Sequence, residues 1–188
     1  TSRDLGASIS DYVSATADWA RLGYGLPDAE ELARVSTLFA NVGDGIENIA
    51  DASSYMISIL KGFDLAADDA QKVADLINEV ANNEPASASD ISEILTRSGA
   101  ALHEAGNDLS QAISLGVAMN SVTQNAESTG QTLKTVSMYL RAAKTDLENM
   151  GESSDGCANS VSELRSELKQ LTGVDIMKDA AGTQFKST

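Results

Sequence analysis

One cysteine, Cys157, and one histidine, His103, stand in this 188-residue chain, with two prolines and only 4% aromatic residues. A lone cysteine cannot close an intrachain disulfide or supply a cysteine-based metal framework. It gives no sign of extracellular stapling and fits assembly in a reducing cytoplasm. No apolar run approaches the ~20 residues of a membrane-spanning helix, and the first residues lack the basic-then-apolar pattern of a secretion signal. Basic charge is scarce as well: 13 Lys and Arg face 28 Asp and Glu, a net charge of −15. An acidic body repels nucleic-acid phosphates and anionic lipid at long range, which argues against duplex-DNA binding by this segment. The remaining acid reads as a solvated surface that keeps the chain in solution.

The chain is nevertheless long enough to bury a core, and its 42% apolar content is that of an ordinary globular protein. Those apolar residues are mostly Ala, Leu, Ile and Val, which suit close helix packing better than a wide sheet. The charge is uneven: residues 1–125 hold 6 basic and 19 acidic side chains, residues 126–188 hold 7 and 9. The chain opens at Thr1 rather than Met, inside a helical pattern, as expected of a piece of a longer polypeptide.

The apolar period is 3.6 almost throughout, so the sequence predicts an all-α fold, an irregular array or bundle of about seven to eight helices. A first helix carries Tyr12, Val13, Thr16, Ala17 and Ala20, with Trp19 and Leu22 nearby, and stops at Gly23-Tyr24-Gly25. Pro27 opens a second with Leu32, Val35, Leu38 and Phe39 inward, Trp19 and Phe39 being the expected core anchors. A third spans Ile46 to Leu60 and closes at Gly62; a fourth holds Ala70, Val73, Ala74, Ile77, Val80 and Ala81. Ser87 with Asp90, or Ser89 just after it, caps a fifth through Ala105, Gly106 ends it, and Asn107 is expected to cap the sixth. The seventh includes Thr129 through Arg141, with Leu133, Val136 and Leu140 on one face. Gly151 to Asn159 reads as a loop, and Val161, Leu164, Leu168 and Leu171 form a 3-4-3 stripe that stops at Gly173. The last residues, to Thr188, alternate weakly and read as a short extended segment. Residues 1–150 are thus expected to form a multi-helix core and residues 151–188 a loop, one short helix and a tail, either apart or as one continuous domain.

Catalytic motifs appear only in outline. His103-Glu104-Ala105-Gly106-Asn107 begins like the zinc motif H-E-x-x-H, but Asn107 takes the place of the second imidazole. Gly130 to Thr135 ends in Lys-Thr as a phosphate-binding loop does, yet Leu133 stands where Gly must precede the Lys. Asp64, Asp68 and Asp69 lack the glycine of a calcium loop and read as acids at a helix start. Cys157 has no sequence partner for nucleophilic work. No catalytic residue, metal or cofactor is therefore expected.

Three groups of strings, taken in order, carry a resemblance. The first is Ala40-Asn41-Val42-Gly43-Asp44-Gly45 through Leu60-Lys61-Gly62-Phe63. The second runs from Val73-Ala74-Asp75-Leu76-Ile77-Asn78-Glu79-Val80-Ala81-Asn82-Asn83 to Ser89-Asp90-Ile91 and Ala105-Gly106-Asn107. The third is Gly130-Gln131-Thr132-Leu133-Lys134-Thr135-Val136-Ser137-Met138, followed by Leu171-Thr172-Gly173-Val174 and Phe185-Lys186-Ser187. In this order the chain resembles the core region of phage tail tape-measure proteins, best from Leu38 to Lys186. Tyr139 departs from that pattern where a basic residue is expected, and so does Glu84-Pro85-Ala86.

The resemblance implies a structural virion or prophage protein without catalysis. It would lie in the tail lumen after assembly in the host cytoplasm, where it would set tail length and leave ahead of the genome. It implies tail-tube and tail-assembly proteins as partners, together with copies of itself. Lys134, Arg141 and Lys144, in the less acidic part, are the candidate partner contacts, although cations on a helix surface need no partner. The alternatives are an acidic helical interaction module, an adaptor or secreted domain without catalysis, and an enzyme using carboxylates around His103. A single helix of this length would reach about 280 Å, but the glycine and proline breaks forbid that rod.

Overall fold

The computed structural model describes residues 8–151, residue 158 and residues 161–172. Among these the chain is all α. The helices are α1 (Ile9–Arg21), α2 (Leu26–Val42), α3 (Ile49–Gly62), α4 (Ala70–Asn83), α5 (Ala88–Glu104), α6 (Leu109–Thr123), α7 (Ala126–Asn149) and α8 (Val161–Thr172), with one 3-10 turn at Ala67–Asp69. The expected extended segment after Gly173 and most of the 151–160 loop lie outside the described residues, so the outline of residues 151–188 remains an expectation.

The ends of the helices follow from local chemistry. Ser8, Asn48, Ser87, Asp108 and Asn125 each accept the N–H three residues on, which satisfies an orphan donor of the first turn. Ser87 with Asp90 closes a full capping box, as does Asp108 with Gln111. The structure thus corrects the expectation for Asn107. Its side-chain amide and its backbone N–H both donate to Leu102 O, at 3.0 and 2.9 Å, so Asn107 closes α5 and Asp108 opens α6. Gly106, at φ +87°, supplies the left-handed residue between them. At the end of α3 that left-handed role falls to Asp64, at φ +52°, not to Gly62. Helix α3 also starts at Ile49 rather than Ile46, because Asn48 is its cap.

The arrangement is built around α5. It packs against α3, α4, α6 and α7, while α1 and α2 pack on α3. Trp19, Leu32, Phe39, Met56, Ile77, Leu95 and Leu102 are sealed in the core, so both expected aromatic anchors are in place. Two apolar faces differ from expectation. In α1 the buried positions are Ala15 and Trp19, and Val13 lies 59% exposed. In α7 Leu133 is buried but Val136 is 39% exposed, because Thr129, Gly130 and Ser137 complete the inward face instead. Small and hydroxyl side chains line that face, so an apolar period finds it only in part.

Candidate functional site

Several of the strings that carried the resemblance meet α5, while Gly173-Val174 and Phe185 to Ser187 lie outside the described residues. The Gly43-Asp44-Gly45 turn sits over its N-terminus, where Ser89 N–H donates to Asp44 O at 3.0 Å. A side chain at Gly45 would meet Ser89 Cβ at 3.0 Å, and the turn has φ +76° there. Further along, a Cβ on Gly62 would stand 3.2 Å from Ala100 N, and one on Gly99 would strike the Phe63 ring at 2.9 Å. At Gly130 a Cβ would meet Arg97 Cβ at 2.9 Å and Ile94 O at 3.1 Å. At these places a side chain would press on a neighbouring element, on its backbone at Gly62 and Gly130 and on its side chains at Gly45 and Gly99. Gly130 to Thr135 is therefore a packing string and holds no phosphate loop, since it lies within α7.

Helices α5 and α7 run in the same direction. Ile94 faces Gly130, and at the far end Glu104, the last residue of α5, pairs with Arg141. Arg97 adds a bridge to Glu93 at 2.6 Å and to Glu127 at 3.2 Å. The Glu93 carboxylate on its guanidinium, with lesser help from Glu127, raises the Arg97 pKa.

Of the three candidate contact residues, Lys134 is exposed and Lys144 half-buried. Arg141 is held by Glu104. Lys134 and Arg141 lie seven residues apart and share a helical face. Exposed ion pairs of this kind contribute about 0–1 kcal/mol, so Arg141 contributes little to holding the fold. Two hollows on the described surface lie near these elements. One, of about 530 Å³, runs along α7 past Gln131, Thr132 and Thr135. The other, of about 390 Å³, lies between α1 and the start of α3, beside Asp11, Asp18 and Ser53. Neither places a nucleophile against a base. His103 is exposed, its ring tilted against Phe63 at 5.7 Å. Among the described residues no group of three His, Cys, Asp or Glu could hold a metal ion.

What recurs among the described residues is a set of packing and turn positions. The model of the phage-related minor tail protein family matches residues 1–188. The chain belongs to that family. It also resembles the "Probable tape measure protein" of Halomonas phage phiHAP-1, with 40% identity over 75 residues, 39% of this chain and 9% of that relative. The chain thus spans a small part of the length of the curated relative it matches. No solved structure matches it. Membership makes this minor tail protein a structural component of a phage tail. No described helix is long and apolar enough to cross a membrane.

The sequence missed α5 as the organising element. Its signal was available in the glycines of the neighbouring strings, which no catalytic pattern explained.

Proposed function

We propose that this segment is a folded assembly or anchoring unit of a tape-measure protein. The parent protein would act within the tail tube in tail assembly, in tail-length determination and in genome ejection, with the ruler itself elsewhere in its chain. The observation that carries this reading is the 40% identity to a tape-measure protein, joined to a fold that breaks an otherwise rod-length helical sequence into packed helices. Its partners on this reading are tail-tube and tail-assembly proteins and further copies of the same chain. Its place is the virion tail lumen after assembly in the host cytoplasm. Lys134, Arg141 and Lys144 form the proposed contact, and the role involves no catalysis.

The test is electron microscopy of phage whose parent gene lacks the codons for Val73 to Leu109. That deletion removes most of α4 and all of α5, so absent or misassembled tails are expected. Tails shorter by ~55 Å, the helical length of the deleted residues, would make the segment part of the ruler and overturn the reading. Normal tails of unchanged length would overturn it as well.

A further inference from the structure

The hollow between α1 and the start of α3 is bordered by a polar group that the fold leaves unused. Ser53 lines it, is only 4% exposed, and its hydroxyl has no hydrogen-bond partner. Helix hydroxyls elsewhere in this fold donate to the carbonyl four residues earlier, as those of Thr37, Ser58, Ser98 and Ser114 do. Ser53 makes no such bond, and a sealed hydroxyl without a partner bears a desolvation cost that a ligand can relieve. Ser36, Ser92 and Ser137 are unpartnered too, but they line neither this hollow nor the one along α7. Around Ser53 the walls are small and the rim is charged. Ala15 of α1 and Ala50 of α3 line the hollow, with Asp11 and Asp18 on the α1 side. Those two carboxylates stand seven residues apart on one face of α1, about 10 Å along its axis. Asn48 is engaged elsewhere: it accepts from Asp51 N–H at 2.9 Å and donates to the Asp51 carboxylate at 2.8 Å. Asp18 also meets Arg21 at 2.7 Å, a pair exposed on both sides and therefore easily displaced.

The chemistry of the hollow selects its ligand. An anion is repelled by both carboxylates and by a net charge of −15. A single metal ion cannot touch both, because its oxygen ligands must stand within about 2.6 Å. A neutral apolar molecule would leave the Ser53 hydroxyl as it is. What remains is a slim cation with charge at both ends and hydrocarbon between them. We propose that this hollow binds a linear polyamine. One terminal ammonium pairs with Asp11 and the other with Asp18, displacing Arg21, while the aliphatic chain lies over Ala15 and Ala50. An N–H along the chain donates to Ser53 Oγ and satisfies it. Small side chains at positions 15 and 50 admit the chain, and the acidity of the whole molecule concentrates such cations at its surface.

The test is calorimetric titration of the 188-residue chain with spermidine at low salt, with Mg2+ as the charge control at matched ionic strength. Spermidine should bind saturably, one per chain. Asp11→Asn, Asp18→Asn and Ser53→Ala should each weaken it about tenfold, the worth of one hydrogen bond to a charged group. Glu79→Gln removes an exposed carboxylate from α4, away from the hollow, and should leave the affinity unchanged. Absence of saturable binding would overturn the proposal. So would a Ser53→Ala chain that binds as the parent does, or a loss with Glu79→Gln equal to that with Asp11→Asn, the mark of a diffuse counterion atmosphere. Amide NMR gives an independent readout. Signals of Ala15, Ala50 and Ser53 should shift with spermidine and stay in place with Mg2+; equal shifts with both cations would sink the idea.

Discussion

At Gly130 the missing side chain is what allows α7 to lie against the backbone of α5. Alanine there would gain up to about 1 kcal/mol of helix propensity. Its Cβ would press on Ile94 O at 3.1 Å and Ile94 Cα at 3.3 Å, which are backbone atoms that move only with the whole helix. Overpacking of this kind costs about 1–3 kcal/mol, so Gly130→Ala is expected to lower stability in chemical denaturation. A net gain would show that the helices can separate freely. Ser92 argues the opposite way. It is sealed in α5 and its hydroxyl finds no hydrogen-bond partner. Removing an unsatisfied buried hydroxyl recovers about 1 kcal/mol or more, and alanine is the better helix former. Ser92→Ala should therefore raise the denaturation midpoint.

Helix α2 is tied to its neighbours by a charged group as well as by its core. Arg34 donates to both oxygens of Glu31, at 2.8 and 2.6 Å, and reaches Gln71 in α4 at 3.2 Å. Those bonds, against a smaller desolvation effect, hold the Glu31 carboxyl below its ordinary 4.5. A folded pKa below the unfolded one means the unfolded chain binds more protons in between. Stability from the pair is thus present above the unfolded value and is lost as pH falls through the folded one. Glu31→Gln should melt at lower temperature than the parent at pH 7, by a small margin because the pair is half-exposed. The two melting curves should converge below pH 4.5. A difference that persists in acid would place the effect outside this ion pair.

For the molecule as a whole, a net charge of −15 on a thin core makes self-repulsion a global term. The Debye length falls from about 30 Å at 0.01 M to about 8 Å at 0.15 M salt. Melting temperature should therefore rise over that range, the reverse of a fold held mainly by surface ion pairs. A fall with salt would mean that bridges such as Arg97 with Glu93 and Glu127 outweigh the repulsion. The same scale governs the role in the tail. Helices α1 to α7 pack on one another into a body far shorter than the rod their residues could make, which is what the deletion between Val73 and Leu109 probes.

The sequence alone determined the helices, because apolar period, caps and breakers act within a turn or two. Ser87 with Asp90, Gly106 and the break before Ser87 were legible for that reason, and so were Trp19 and Phe39 as anchors. The family was legible too, since strings such as Gly130 to Met138 keep their order along the chain. Only the tertiary structure decided what those strings are for. Gly130 and Gly62 owe their identity to backbones of α5 more than thirty residues away, a distance no local period encodes. Asn107 serves the earlier helix because a side chain at a helix junction can bond to either, and here it reaches Leu102 O. Val136 faces outward because the inward face of α7 is made of small and hydroxyl residues. Close approach of two helices, more than apolar content, set that face.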